Sequence, residues 1–421
     1  MTGRTAPGTG PHGDDHRPQP GEHPEPHPES HPEKAGGTMR RIARYVVALA
    51  ALSILPVLGL VAPGSGTAAR ADGPEHDPKA AAARTAERME RAGIVDIPVS
   101  FEVVNRNRSG LACNTDGKTY TVRGHLTLPA DLATASADLP PVTVYQHGLQ
   151  SGEWYWRVDV PGYHHAEEMA RRGHVSLTVD RLGHGASDRP DGRQLCLGGE
   201  ADITRQIAGQ LRDGGYTTEG GATVRRFGEV VLAGHDRGAQ IAQIAAYSFP
   251  GDFDGLILSG WADSGLTDED DARFFAALTS CMQGGVPSVN PADAPGYVHL
   301  DVGERDFVRG NFQRAGTDPR VLAAAVGLQN RLPCGVLVSQ LEGVLVDTRR
   351  VAEIEVPVAL VEGERDGRVR GAAEHRKRFT SAADTALHTV PGAGHFLGLE
   401  PGARGTQDFL ADWLDAKGLA P

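Results

Sequence analysis

Hydrophobic positions along this chain follow two alternating rhythms. Ile97 to Val104 and Tyr120 to Leu128 are β-rich runs separated by a turn region containing Gly, Asn and Asp, the pattern of an opening antiparallel pair. Val142-Thr143-Val144-Tyr145, Val175 to Val179, Val230-Val231-Leu232-Ala233 and Leu256-Ile257-Leu258 are short apolar runs that predict buried strands. Helices are predicted between them, near His164 to Arg172, Ala201 to Leu211 and Arg237 to about Tyr247. This alternation predicts an α/β domain with a mostly parallel sheet and helices on both faces. From about Ser264 to Asp347 the strand rhythm stops, leaving helices, loops and two cysteines. Val358 to Val361 restores it, followed by a helix near Gly371 to Phe379, a strand Leu387 to Val390 and a closing helix around Thr406 to Leu414. The interruption falls between the sixth and seventh predicted strands. It reads as a helical cap over the carboxyl ends of the strands, where open α/β sheets place their sites.

The amino-terminal part has a different character. Residues 1–38 are rich in Pro, Gly, His and Glu and hold almost no large apolar residue, so they are expected to be a disordered leader, with Met39 as the natural start. The spaced His23, His27 and His31 are each followed by proline, and no metal site is expected there. Met39-Arg40-Arg41 begins a basic segment, Tyr45 to Val61 is apolar, and Ala69-Arg70-Ala71 supplies a small-x-small cleavage pattern. Residues 39–71 therefore read as a signal peptide cut after Ala71, with a membrane anchor as the alternative. The expected organisation downstream is a first core segment over 72–263, a cap insertion over 264–347 and a second core segment over 348–421. A secreted protein without a stable membrane anchor follows. Its formal net charge of −12 offers no basic surface for nucleic acid and leaves a small molecule as the expected partner. The four cysteines Cys113, Cys196, Cys281 and Cys334 suit two disulfides in an exported chain. Of the three pairings, Cys281 with Cys334 and Cys113 with Cys196 is favoured, because the first two share the inserted region. No Cys-x-x-Cys or Cys/His cluster suggests a metal, and no cofactor is expected.

One motif carries chemistry by its context. Gly234-His235-Asp236-Arg237-Gly238 lies between a predicted strand and a predicted helix, the setting of a nucleophile elbow. The glycines permit a tight turn while the central side chain, here an aspartate, is held out over the sheet. Asp366 follows the strand Val358 to Val361, and His395 follows the last strand. They complete the order nucleophile, acid, histidine. Asp263, just after Leu256 to Leu258, is the competing acid.

With these motifs in place, the chain resembles the α/β-hydrolase superfamily over most of residues 95–421. Gln146-His147-Gly148-Leu149 looks like its oxyanion loop, and Asp180-Arg181-Leu182-Gly183-His184-Gly185-Ala186-Ser187-Asp188 looks like the Gly-rich turn after its fourth strand. Gly251-Asp252-Phe253-Asp254-Gly255-Leu256-Ile257-Leu258-Ser259 resembles exported actinobacterial and fungal hydrolases whose elbow normally carries serine. The elbow itself is similar to fluoroacetate dehalogenases and, more loosely, to haloalkane dehalogenases and epoxide hydrolases. The resemblance implies an oxyanion hole made by the N–H groups of Leu149 and Arg237. Departures accompany it: Gln240 stands where fluoroacetate dehalogenases have an arginine for the substrate carboxylate. Arg237 and Leu149 occupy the halide-donor places of haloalkane dehalogenases. The His-Gly-x-Pro of epoxide hydrolases is His147-Gly148-Leu149-Gln150 here, and Tyr297 is the one cap tyrosine available as a proton donor. Trp261 and Trp154 are candidate pocket walls.

Leaving groups separate the chemistries. A carboxylate attacking an ester would form an anhydride while expelling a far more basic alkoxide, so the intermediate collapses backwards. Against a saturated carbon bearing a halide or a strained epoxide oxygen, a carboxylate gives an alkyl-enzyme ester, which a histidine-activated water can hydrolyse. The expectation is a cofactor-independent exported hydrolase opening an epoxide or similar electrophile with Asp236, Asp366 and His395. Three alternatives stay open: a dehalogenase of the same mechanism, a pseudo-hydrolase that binds a ligand, and a non-hydrolytic enzyme using Asp236 or His395 as a base.

Overall fold

A computed structural model describes residues 78–134, 139–287, 293–313 and 315–421. The expected leader, signal and cleavage after Ala71 lie outside them. The strands are β1 (Ile94–Val104), β2 (Thr119–Pro129), β3 (Val142–Gln146), β4 (Ser176–Asp180), β5 (Thr217–Thr218), β6 (Val230–His235), β7 (Gly255–Ser259), β8 (Tyr297–Val298), β9 (Leu332–Pro333), β10 (Val358–Gly363) and β11 (Thr385–Val390). Nine of them form one sheet in the order β11-β10-β7-β6-β3-β4-β2-β1-β5. From β11 to β4 every pairing is parallel, and β2 and β1 continue the sheet antiparallel.

Period-two alternation builds a separate apolar layer on each face of the sheet. Val230, Leu232, Leu256, Leu258 and Leu360 pack into one layer, with Ile207 and Leu211 of helix Leu197–Asp213 and Ile241 and Ile244 of helix Arg237–Ser248. Val231, Ala233, Ile257 and Val361 point the other way, onto Met169 of helix His165–Ala170 and Leu410 and Trp413 of helix Ala403–Ala416. Because β3 and β6 are neighbours while β4 lies on the far side of β3, the chain reverses its direction of winding between them. This is the crevice where open α/β sheets bind ligands. Register aligns the strand ends around it: Gln146 faces Gly234, His235 faces Ser259 and Gly363 faces Val390.

Between β7 and β10 run the helices Asp268–Met282, Glu304–Asn311, Pro319–Val326 and Cys334–Arg350. The sequence predicted no strands in this stretch, yet the two-residue β8 and β9 pair antiparallel there. The first helix is well started: Thr267 accepts the N–H of Asp270, and Asp268, Glu269, Asp270 and Asp271 meet its positive end. A disulfide joins Cys281 at its far end to Cys334 at the start of the last helix, and Cys113 is bonded to Cys196, the pairing favoured from sequence. A helix at Pro78–Arg91 was not anticipated, and the one expected over Gly371 to Phe379 is only Ala372–Arg376. Among the described residues no helix is long and apolar enough to cross a membrane.

Burial leaves several histidines neutral. His165 packs edge-on against Tyr145, its Nε2 has no hydrogen-bond partner, and burial pushes its pKa down to about 3. The unfolded chain binds this proton near pH 6.5 while the folded protein refuses it until about pH 3. The corresponding stability is therefore present above pH 6.5 and lost as pH falls across that window. In thermal melts from pH 7.5 to pH 4, the His165→Phe variant, which keeps a ring in the aromatic cluster, is expected to lose less Tm than the parent. Parallel Tm curves for the two proteins would refute the assignment.

Candidate active site

The elbow is formed by close packing of backbone on backbone. A Cβ at Gly234 would lie 2.3 Å from the carbonyl carbon of Gly238, and one at Gly238 would lie 2.4 Å from the Gln146 carbonyl oxygen. With both side chains absent, helix Arg237–Ser248 starts directly against the ends of β3 and β6. The turn between strand and helix forces Asp236 to φ 52° and ψ −121°, the one non-glycine residue with positive φ among those described. Such a backbone costs of order 1–3 kcal/mol and persists only where neighbours over-determine it. Here the Asp236 N–H donates to Ser259 O at 2.9 Å, and its carbonyl accepts the N–H of Ala239 at 3.0 Å.

The two carboxylate oxygens of Asp236 have different surroundings. Oδ2 accepts the Leu149 N–H at 2.9 Å, while Oδ1 lies 3.8 Å from His395 Nε2, too far for a hydrogen bond. His395 Nδ1 is 2.9 Å from Asp366 Oδ2, and Asp366 Oδ1 accepts the N–H groups of Arg368 (2.8 Å) and Val369 (3.1 Å). A carboxylate only accepts, so the proton sits on Nδ1. Nε2 is aimed towards Asp236, buried and without a hydrogen bond. The Asp236 side chain is 16% exposed and those of His395 and Asp366 are each 1% exposed, so a ligand reaches the carboxylate first.

Electrostatics separate these groups further. Burial alone would raise the pKa of Asp236, but the positive charge available on His395, that of Arg237 and the Leu149 N–H together hold it well below the carboxylate range. Burial opposes the charged form of His395, yet the charge and hydrogen bond of Asp366, with Asp236 beyond, raise its pKa above 6.5. Asp366 stays ionised because His395 and the two N–H groups outweigh its burial.

Other expected site residues lie elsewhere. Asp263 is not the acid: its Oδ1 is held by Gln243 Nε2 (2.8 Å) and Trp261 Nε1 (3.1 Å), and its Oδ2 is 3.6 Å from His375 Nδ1. Tyr297 does not offer its hydroxyl to Asp236: buried, it donates to Pro190 O at 2.9 Å. Trp261 lies under the Arg237 guanidinium, 4.6 Å from ring centroid to charge. Arg237 is buried, with Nη1 donating to Gln240 Oε1 at 2.6 Å, and its N–H makes no hydrogen bond to Asp236 among the described residues. Leu149 is thus the observed backbone donor to the Asp236 carboxylate. Trp154 lines a groove of about 490 Å³ between the loop after β3 and cap residues such as Leu328 and Asn330.

Sequence reasoning missed how the cap grips this apparatus. The buried Arg368 guanidinium donates to Asp270 Oδ1 (2.6 Å), to Asn311 Oδ1 and the Gly310 carbonyl (both 3.0 Å), and to Asp301. Asp301 also accepts Gln150 Nε2 at 2.8 Å. One cap carboxylate therefore holds both the loop that orients Asp366 and the loop that presents Leu149.

A model of the alpha/beta hydrolase family matches residues 142–404. Among solved structures, a thermophilic esterase from Thermogutta terrifontis is similar at 16% identity and a TM-score of 0.52, over 75% of this chain and 99% of its own. A monoacylglycerol lipase from Paleococcus ferrophilus follows at 16% identity and 0.49, over 66% and 96%. The enol-lactonase from Burkholderia xenovorans LB400 gives 14% and 0.49, over 70% and 97%. At these identities the likeness to solved structures is one of fold. No curated protein matches the chain.

Glycine spacing at the elbow is open to direct test. Gly238→Ala forces a methyl against the Gln146 carbonyl and is expected to destabilise by about 1–3 kcal/mol or more. Gly209, in a helix interior with open space around its would-be Cβ, serves as the control. There alanine should stabilise by about 0.5–1 kcal/mol. Urea unfolding of both variants checks the opposite signs, and equal effects would contradict the packing argument.

Proposed function

The chain belongs to the alpha/beta hydrolase family, and on that premise we propose that it is an exported, cofactor-independent hydrolase whose nucleophile is Asp236. The observation that carries this reading is the division of labour on one carboxylate: Oδ2 rests on the Leu149 N–H and Oδ1 faces His395 Nε2. Oδ1 is thereby free to attack a saturated carbon. The carbon's bond to its leaving group breaks with the electron pair, and an alkyl ester of Asp236 forms. His395 then takes a proton from water as the water oxygen adds to the ester carbonyl. The resulting oxyanion develops on Oδ2, at the Leu149 N–H, and collapse returns the carboxylate and releases an alcohol. Asp366 fixes the ring and its tautomer throughout.

The engaged hydroxyl of Tyr297 bears on the electrophile. An epoxide oxygen departs as an alkoxide that needs a proton, whereas halide leaves without one. With Tyr297 committed to Pro190, epoxide opening loses the proton donor expected for it, and halide displacement, which needs none, is the second reading through the same ester intermediate. The two disulfides suit an exported protein.

A single turnover in 18O-labelled water tests the mechanism. Hydrolysis at the ester carbonyl places solvent oxygen in the Asp236 carboxylate, readable by mass spectrometry of its peptide. Turnover without label would exclude the ester route, and no turnover of alkyl halides or epoxides would favour a ligand-binding protein. His395→Gln should cut hydrolysis by about 10²–10⁴-fold and leave the alkylated protein detectable by intact mass.

The pH profile follows from His395. The base must be neutral, and Asp366 raises its pKa, so hydrolysis is expected to fall off on the acid side at a midpoint above pH 6.5. Asp366→Asn withdraws that charge and should move the acid limb to lower pH while reducing the plateau rate. An unmoved limb would assign it to another group.

A further inference from the structure

Arg181 opens the turn after β4 and is 2% exposed. Its backbone N–H donates to His147 Nε2 at 3.0 Å. A backbone N–H can only donate, so Nε2 accepts and the imidazole proton resides on Nδ1. That Nδ1–H lies 2.8 Å from Gly148 O. The same carbonyl receives Arg181 Nη2 at 3.3 Å, while Nε donates to His147 O at 3.1 Å. Two buried N–H donors thus converge on the Gly148 carbonyl, one of them cationic. The carbonyl of Gly148 and the N–H of Leu149 belong to one peptide group, and that N–H is the donor to Asp236 Oδ2. Drawing electron density towards the oxygen end of an amide strengthens the donor at its nitrogen end, as in any polarised hydrogen-bond chain. Glu200 Oε1 pairs with Nη1 at 3.5 Å, on the far nitrogen from the two carbonyls, and so leaves Nε and Nη2 to His147 O and Gly148 O.

We propose that Arg181 is a positioning residue that, with His147, polarises the Gly148–Leu149 peptide and so strengthens its N–H towards the charged Oδ2 of Asp236. The inference rests on the ester mechanism above and makes an asymmetric demand on it. Oδ2 shares negative charge in the resting carboxylate, loses it in the alkyl ester, and regains it in the tetrahedral intermediate. A stronger donor therefore favours hydrolysis of the ester and does nothing to speed its formation. A residue that merely held the loop in place would affect both steps together.

Arg181→Met and Arg181→Lys should be compared with the parent protein, with 1-bromohexane and styrene oxide as probes and circular dichroism checking the fold. Ester formation is timed by intact mass in the His395→Gln background, and overall turnover in the wild-type background. In Arg181→Met the ratio of hydrolysis to alkylation should fall about tenfold, with alkylated protein accumulating during turnover. Lysine, which keeps a charge and one reachable carbonyl, should restore part of it. Independently of any substrate, the Leu149 amide proton of 15N-labelled protein should move upfield in Arg181→Met and partly return in Arg181→Lys. Equal slowing of both steps, or an unshifted Leu149 amide in a folded Arg181→Met protein, overturns the proposal. If neither probe alkylates Asp236 even in His395→Gln, the ester mechanism fails for these electrophiles, and the amide shift alone decides the role of Arg181.

Discussion

How closely helix Arg237–Ser248 passes the ends of β3 and β6 governs the rest of the site. The approach is set by backbone atoms, since a methyl at Gly238 would stand 2.4 Å from the Gln146 oxygen. Because Gln146 and Gly234 are in register, the chain leaving β3 turns immediately over the helix start. A second contact follows, where a Cβ at Gly148 would lie 2.7 Å from Asp236 Oδ2. The carboxylate is therefore gripped between a glycine in front and a glycine pair beneath. The positive φ of Asp236 is the consequence, an energetic cost that the surrounding sheet makes unavoidable. Relaxing the elbow would carry the carboxylate away from the Leu149 N–H.

Polar interactions then fix what the backbone has brought together. The acid and the oxyanion loop come from opposite ends of the sequence, and their common partner is Asp301 in the cap, through Arg368 and Gln150. Burying such charges returns little net stability, because desolvation offsets the attraction. Its effect is geometric: the arginine held by Asp270, Asp301, Asn311 and Gly310 also donates its backbone N–H to Asp366. Cap and core are thus coupled through the loop that orients the histidine.

What could be read from the sequence was local. The alternating strands were visible because each has two apolar faces, as Val230 and Leu232 against Val231 and Ala233 demonstrate. The elbow was visible because its glycines are neighbours in sequence, and Asp366 and His395 because each follows a strand by a short loop. The disulfide pairing was favoured because two of the four cysteines, Cys281 and Cys334, fall in the same inserted region. Long-range choices were hidden. Asp263 and Asp366 both follow strands, and only the fold turns one towards Gln243 and the other towards His395. Tyr297 offered a hydroxyl in the right region, but its partner, Pro190, is 107 positions away. Asp301 and Gln150 are 151 apart, and although Gln150 ends the His-Gly motif, nothing in the sequence marks Asp301 as its partner. Arg181 was visible within the Gly-rich turn, yet its carbonyl partners appear only once β3 and β4 are side by side.

The charges around position 236 bear on whether its aspartate is an accident within a serine-type site. Three buried arginines, Arg181, Arg237 and Arg368, lie within electrostatic reach of the Asp236 carboxylate, which favours the charged form of each. Each also has a carboxylate of its own nearby: Glu200 for Arg181, Asp347 for Arg237 through Gln240, and Asp270 with Asp301 for Arg368. Asp236 differs from those partners, because it faces the His395 imidazole across 3.8 Å and keeps an accessible oxygen. A serine in its place would remove the anion on which these fields converge and leave His395 with Asp366 as its only carboxylate neighbour. The polar surroundings are therefore matched to a negative charge at the elbow, in the ground state and in the tetrahedral intermediate of the proposed ester hydrolysis. That match supports an aspartate acting in its own right and weakens the view of it as a remnant of serine chemistry.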